Sequence, residues 1–452
     1  MSLPPASRSK PDLAALWAAR GIDAGAVQPD SRGTIGRSAL RVAETLAARP
    51  MAVPSTTSAE AHDLELGPII GRGGMGVVRL ATQRALKRTV AVKQVLDPSD
   101  EVVAALLREA WIAGNLEHPN ILPIHTLASP VSGPPLLVMK RIEGLPWTQV
   151  LADATVAPGE AGIEDPLEWH LRVFTRVCRA VHFAHAQGIV HLDIKPDNVM
   201  LGRFGEVYLV DWGLAASLDP QVPAWMPRAA DIKTVVGTPA YMAPELALAA
   251  GARIDARTDV YLLGAVLFEI ITGQRLHTGT VLEAVTSAWR SEAPALPDVP
   301  TELAQICRRA VAREPADRFE SVEALRLEVE SFLQHRHATG LADEALDRLA
   351  RLEARLAEGS DAEVQRLIDE CRFGLRLALR AWPGQARARA GLARLLRHVA
   401  ERHRPATRSR RRGRSSRRSR PRPPSWSSRS RPGRRPWPSA RRRWRPCPGI
   451  TI

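Results

Sequence analysis

The sequence predicts an α+β protein whose strands gather early and whose helices gather late. Three observations carry that expectation. Between residues 64 and 95 the apolar residues come in short runs, "LELGPIIGRGGMGVVRLATQ" and "RTVAVKQV", around a glycine cluster rather than at helical spacing. Beyond about residue 165 helical spacing dominates, broken by a loop-rich block at 189–245 that holds most of the polar clusters. A last stretch, 344–400, reads as three or four short amphipathic helices, with Pro383 and Gly384 punctuating the final pair.

Each element follows from its own pattern. Residues 64–83 read as a strand, a glycine turn and a second strand, and 88–95 alternate as a third. "EVVAALLREAWIAGNL" (101–116) spaces its apolar residues for a helix, and "PLLVMKRIEG" (135–144) is strand-like and ends in a turn. The most apolar run, "VYLLGAVLFEIITG" (260–273), is shorter than a membrane span and holds Glu269, so it reads as a buried core helix. Residues 1–62 mix Pro, Ser, Ala and Gly with short helical patches such as "SALRVAETLAA" (38–48). They are expected to be a poorly ordered extension with one or two helices. The expected domains are therefore that extension, a main domain over 63–335, a helical extension over 336–401 and a tail over 402–452. In the helical extension, "W-P" followed by "ARARAGLARLL" is similar to part of a tetratricopeptide unit, although the full repeat pattern does not recur. Packing on the preceding domain is the plainer reading.

Composition narrows the setting. An apolar fraction of 45% across 452 residues suffices for a sizeable core. Cys178, Cys307, Cys371 and Cys447 lack C-x-x-C spacing, which favours neither a disulfide framework nor a zinc site and suits a reducing cytoplasm. The first twenty residues show no continuous apolar core of a secretory signal. The net charge of +15 comes from the tail: residues 402–452 carry 19 arginines and no acid, which leaves 44 basic against 48 acidic side chains elsewhere. That tail has no periodicity and cannot form a core. With Trp426, Trp437 and Trp444 interleaved, it could bind nucleic acid or an acidic partner, or serve as a solubilising tail. The preferred reading is a stretch of GC-rich DNA translated in a wrong frame, so nucleic acid is not an expected partner.

Three clusters carry chemistry. Gly71-x-Gly73-x-x-Gly76 sits between two strand-like runs, where a hairpin can close backbone amides over phosphates. Taken alone, a tight hairpin with no ligand is as good a reading. Lys93 ends the strand "VAVK", and Glu109 in the following helix is an available anion; alone, Lys93 would read as a surface lysine. In "HLDIKPDNVM" (191–200), Asp193 can accept a proton from an attacking hydroxyl and Lys195 can neutralise a transferring group. Asn198 can hold a metal through its amide oxygen, and Asp211 follows a strand-like run that would bring it to the same cleft. A base, a lysine and two metal ligands are what phosphoryl transfer requires, since its catalysis is mostly positioning and charge neutralisation. The apolar flanks "GIV" and "VML" argue against a freely solvated loop.

With these clusters in view, the chain resembles a eukaryotic-type (Hanks-type) serine/threonine protein kinase, of the kind also found in bacteria. The motifs stand in the family's order: "GRGGMGVV" (71–78), "VAVK" (90–93), "REA" with Glu109, "HLDIKPDN" (191–198), "DWG" (211–213), "GTPAYMAPE" (237–245), "TDVYLLG" (258–264) and "DRF" (317–319). They span roughly three fifths of the chain. The resemblance implies a bilobal fold, a small β-rich lobe before a larger helical one, with ATP and Mg2+ as cofactors. It also implies protein substrates bearing Ser or Thr, since Lys195 follows Asp193 by two residues. Further contacts would use the helical extension, and no membrane is implied.

The resemblance assigns roles by position. Gly71, Arg72, Gly73, Gly74, Met75, Gly76 and Val78, with Ala91, would enclose ATP, and Lys93, paired with Glu109, would contact its α- and β-phosphates. Met139 would border the adenine pocket, with backbone groups from Lys140 to Ile142 binding the base. Asp193 would be the catalytic base, Lys195 would face the γ-phosphate, and Asn198 with Asp211 would hold magnesium. Glu245 would pair with Arg318, and Asp259 would anchor the loop around Asp193. Two departures stand out. Trp212 replaces the usual phenylalanine after the metal aspartate, and Leu192 replaces the arginine that in many relatives grips a phosphorylated activation segment (211–245). Neither position does chemistry. A pseudokinase would lack one of Lys93, Asp193, Asn198 or Asp211, and all four are present.

Overall fold

β1 (Leu64–Gly73), β2 (Gly76–Gln83) and β3 (Arg88–Val95) form an antiparallel meander, and β4 (Ile124–Ala128) and β5 (Leu136–Lys140) complete one sheet in the order β1-β2-β3-β5-β4. The computed structural model describes residues 13–31, 33–36, 63–73, 76–97, 99–130, 133–153, 155, 165–223, 225–296, 299–356 and 360–402. Val90 and Val92 of β3 pack with Ala81, Ala128, Leu136 and Val138 on one face of the sheet. On the other face Val95 and Leu137 meet Leu106 and Ala110 of helix α2 (Asp100–Asn115). Burial on both faces is why β5 reads as an unbroken apolar run rather than an alternating one.

The larger lobe is helical. Gly144–Pro146 (β6) leads into α3 (Trp147–Ala152), and α4 (Pro166–Ala186) starts where the Asp165 side chain accepts the Glu168 amide. Helix α6 (Ala256–Thr272) lies at the centre, buried from Thr258 to Phe268, opened by an Asp255–Thr258 capping box and closed by Gly273. It is the core helix expected at 260–273. Around it stand α5 (Pro244–Ala247), α7 (Val281–Arg290) and α8 (Thr301–Ala310). The loop-rich block carries only short strands: β7 (Ile189–Val190), β8 (Val199–Gly202), β9 (Val207–Leu209) and β10 (Ala216–Ser217), paired as β6-β8-β9 and β10-β7. This is the bilobal arrangement implied above. Among the described residues no helix is long and apolar enough to cross a membrane.

Two expectations need correction. The boundary placed at 335/336 falls inside a single helix, α9 (Val322–Arg355), which runs through it for 34 residues. It holds no proline and one glycine, Gly340, and a lone glycine costs about 1 kcal/mol, too little to end a packed helix. The extension is then the far half of α9 with α10 (Asp361–Ala381) and α11 (Ala386–Arg402), longer helices than the short ones expected. α10 crosses α9 closely, since a Cβ on Gly374 would lie 2.8 Å from that of Ala345.

The second correction concerns the extension at the N-terminus. Residues 13–31 and 33–36 are not loose: α1 (Leu13–Ala18) sinks Leu13 and Trp17 into the helical lobe's core, and the Trp17 indole donates to Ala247 O at 2.8 Å. Burying a tryptophan and a leucine supplies several kcal/mol, enough to order a segment too short to display a periodicity. The helical patch expected at 38–48 and the arginine-rich tail from residue 403 lie outside the described residues.

Candidate active site

Asp259 builds the loop that carries Asp193. Fully buried near the start of α6, its carboxylate accepts the amides of His191 (2.8 Å) and Leu192 (3.0 Å) and meets His185 Nε2 at 2.8 Å. Burial alone would raise its pKa, but the His185 hydrogen bond and the neighbouring histidines and amide hold it below the usual carboxylate value. These bonds keep Leu192 at φ 66°, a left-handed conformation that costs a non-glycine residue about 1–2 kcal/mol. The fully buried leucine side chain helps to offset it.

The turn delivers Asp193, Lys195 and Asn198 to one point, each 1% exposed. Asp193 Oδ1 accepts the Thr238 hydroxyl at 2.6 Å, and Oδ2 accepts Asn198 Nδ2 at 3.1 Å and the Thr34 hydroxyl at 3.1 Å. Lys195 Nζ lies 3.4 Å from Asp193 Oδ2 and donates to Thr34 (2.6 Å) and Thr238 (2.7 Å).

Asn198 turns its NH2 towards Asp193, so its Oδ1 faces away, and that oxygen is buried with no hydrogen-bond partner. Its backbone carbonyl accepts the Val210 amide at 2.9 Å, which brings Asp211 alongside. Asp211 also sits at positive φ, 68°. An amide oxygen and a carboxylate are hard donors, and so small a protein set suits Mg2+, which keeps other positions for water and phosphate. Among the described residues no group of three or more His, Cys, Asp or Glu is placed to hold a metal.

Lys93 on β3 and Glu109 on α2 meet with Nζ–Oε distances of 2.5 and 2.7 Å. The pair reaches the Asp211 turn, because a Cβ on Gly213 would lie 3.3 Å from Asp211 Oδ1 and 3.8 Å from Glu109 Oε2. Above it, Val78 pairs in register with Lys93, and Ala91 with Met139. Gly71, Arg72 and Gly73 end β1 opposite Val78, Val77 and Gly76. At Gly76 a Cβ would meet Gln94 O at 2.1 Å, so only glycine lets the hairpin lie this close to β3. Gly74 and Met75 lie outside the described residues. Met139 is buried, and Lys140 and the half-buried Ile142 follow it at the sheet's end. Trp212 is buried against His191, with ring centroids 4.6 Å apart.

Residues 64–334 match the family model described as the protein kinase domain. The chain belongs to the protein kinase family. Its relatives include the serine/threonine-protein kinase PknD of Chlamydia trachomatis serovar L2b, 34% identical over 304 residues, which are 60% of this chain and 31% of that protein. The PknD proteins of Chlamydia caviae and Protochlamydia amoebophila are 32% and 33% identical over 292 residues, 59% of this chain and 30% and 29% of theirs. The chain thus spans about a third of the curated relatives it matches. Protein kinases use ATP and Mg2+, and the oxygen donors of Asn198 and Asp211 fit the metal.

One residue of this kinase site has no counterpart in the sequence reading. Thr34 comes from the segment expected to be loose, yet it is 1% exposed and bonded to both Asp193 and Lys195. Nothing in "QPDSRGTIG" marks it out. The only available hint was Trp17, an aromatic in a short apolar patch that needs somewhere to be buried.

Proposed function

We propose that the chain is a serine/threonine protein kinase, transferring the γ-phosphate of ATP to Ser or Thr hydroxyls of protein substrates. The observation that supports this best is the Asp193 carboxylate, within hydrogen-bond reach of two alcohols and beside the Lys195 ammonium. Asp193 acts as the base that takes the hydroxyl proton. Lys195 offsets negative charge as it moves to the acceptor oxygen. Asn198 Oδ1 and Asp211 would hold magnesium, which would supply charge neutralisation on the phosphates. Lys93, fixed by Glu109, contacts the α- and β-phosphates beneath Gly71, Arg72, Gly73 and Gly76, with Val78, Ala91 and Met139 around the base. The Lys140 amide already donates to Pro123 O at 3.0 Å, so this residue's contact with the base falls to its carbonyl and the donor to Ile142.

The buried free thiols Cys178, Cys307 and Cys371 suit a reducing compartment, and we place the protein in the cytoplasm. Protein contacts through the exposed sides of α10 and α11, where Phe373, Leu377 and Leu396 face solvent, complete the reading. The test is transfer from labelled ATP with magnesium to casein, in the parent and in Asp193→Asn. Transfer by the parent that vanishes in the variant supports the proposal. Equal transfer by both would refute the role of Asp193.

A further inference from the structure

We propose that Thr34 is an intramolecular phosphoacceptor: the chain phosphorylates its own N-terminal segment, which shuts the cleft to outside hydroxyls until that happens. The inference rests on the kinase reading above and deepens it by naming a substrate and a regulatory step.

The geometry is that of a seated acceptor. An alcohol about to be phosphorylated needs its oxygen within about 2.6–3.2 Å of the base. Thr34 Oγ1 is 3.1 Å from Asp193 Oδ2, and Lys195 Nζ is 2.6 Å from the same oxygen. The flanking backbone is held as an extended peptide would be. Ile35 N donates to Gly237 O at 2.9 Å, and Gly237 N returns a bond to Ile35 O at 3.0 Å. Ile35 is 3% exposed, so its side chain is seated in the lobe's apolar core. At Gly36, with φ 84°, a Cβ would lie 2.7 Å from both Val235 O and Val236 Cγ1, and only glycine passes.

The segment is also shaped to present one hydroxyl. Asp30 N donates to Thr34 O (2.8 Å), Gly33 N donates to Asp30 O (2.9 Å), and Thr34 N donates to Asp30 Oδ1 (3.0 Å). These bonds close a tight loop whose last residue is Thr34. Upstream, the buried Trp17 and the Arg20 hydrogen bond to Leu248 O pin the segment to the same lobe. A tether this short holds the acceptor at an effective concentration of roughly millimolar or more, so outside peptides compete poorly. A segment serving only as a plug would need no hydroxyl at the base.

In the step itself, Thr34 Oγ1 attacks the γ-phosphorus of ATP, and its hydroxyl proton passes to Asp193 Oδ2. The bond from that phosphorus to the bridging oxygen breaks, and its electron pair leaves with ADP. The product places a phosphate of about −1.5 to −2 charge against the Asp193 carboxylate, beside Lys195. Like-charge repulsion then drives the segment out and opens the cleft.

The experiment uses the full chain, stripped of phosphate by a phosphatase and then given ATP, magnesium and casein, with phosphate located by mass spectrometry. Thr34 should fill at a first-order rate that stays constant over about a hundredfold dilution, because the acceptor is tethered. Asp193→Asn protein mixed with the parent should gain no phosphate at Thr34. Casein phosphorylation should speed up as Thr34 fills. Casein phosphorylated at full rate while Thr34 stays bare would overturn the inference and leave the kinase reading standing. A Thr34 rate that scales with protein concentration would overturn the intramolecular step. No phosphate on any residue or on casein would overturn the kinase reading, and this inference with it. A measurement independent of turnover is hydrogen exchange in Thr34→Glu, where a carboxylate faces Asp193. Exchange at the Ile35 and Gly237 amides should quicken by about tenfold or more, and unchanged protection would overturn the opening step.

Discussion

Arg318 and Glu245 face each other as a doubly hydrogen-bonded ion pair, at 2.7 and 2.9 Å, with neither side chain exposed. The guanidinium also donates to the carbonyls of Ala312, Arg257 and Arg313, and Thr258 donates to Glu245. The pair therefore ties the end of the 211–245 segment to α6 and to the loop before α9. Such a pair adds little net stability, because desolvation consumes the Coulombic gain, but removing one partner strands a buried charge. Arg318→Met should lower the unfolding free energy by about 3–5 kcal/mol in urea titrations. A loss below about 1 kcal/mol would mean that water or another cation reaches Glu245.

Asp211 offers a cleaner separation of chemistry from stability. Its φ of 68° suits asparagine, which tolerates the left-handed region, so Asp211→Asn should fold with a melting temperature within a few degrees of the parent. Magnesium-dependent transfer should nevertheless fall by about a hundredfold or more, since the change removes the donor set's negative charge and puts an NH2 in place of one carboxylate oxygen. Residual activity within about tenfold, only ~1.4 kcal/mol of barrier, would move the metal elsewhere.

Much of this site was legible in the sequence because its residues lie close together along the chain. Asp193, Lys195 and Asn198 occupy one turn, and the strand before Asp211 pairs directly with the strand after Asn198. Lys93 and Glu109 were readable through a strand followed by a helix, and the apolar run at 260–273 announced the buried α6. The continuity of α9 across residue 335 was not legible, since helix packing there leaves no local signal. Thr34 was hidden for a different reason. Its partners lie some 160 and 204 residues away, and the force that orders it is the burial of Trp17. Composition alone made that region look too poor in apolar surface to fold.

Leu192 predicts how the kinase is not regulated. Its side chain is fully buried, and the activation segment is already tied down by the β7–β10 ladder and by the Thr238–Asp193 bond. Ser217 lies within that ladder and is buried, and Arg228 is exposed and paired with Asp231 at 2.6 Å. With no arginine at 192, a phosphate on the segment loses its main electrostatic reward. Ser217→Ala/Thr234→Ala should keep initial rates on casein within a few-fold of the parent. A fall of about a hundredfold, ~2.7 kcal/mol, would show that Arg228 or Lys233 has taken over the missing arginine's task.

His170 and His277 make stability fall in mild acid. Burial pushes each imidazole down to about 4 from an ordinary 6.5. His170 Nδ1 accepts the Trp147 indole N–H at 3.0 Å, which requires an unprotonated nitrogen, and His277 is wedged between Ser287 and Tyr261. The sign follows from which state binds the proton. Above pH 6.5 both the folded and the unfolded chain keep these rings neutral, so the full stability is present. As pH falls from 6.5 towards 4, the unfolded chain takes up protons that the folded one refuses, and stability declines by about 1.4 kcal/mol per pH unit for each ring. The loss reaches about 3 kcal/mol per histidine near the folded value. Urea titrations between pH 7.5 and 5 should therefore show a steep decline in the parent. The decline should be shallower by about that slope in His277→Gln, and shallower again in His170→Gln/His277→Gln, where an amide replaces each titrating ring. Equal slopes in parent and double variant would place the acid sensitivity in other groups.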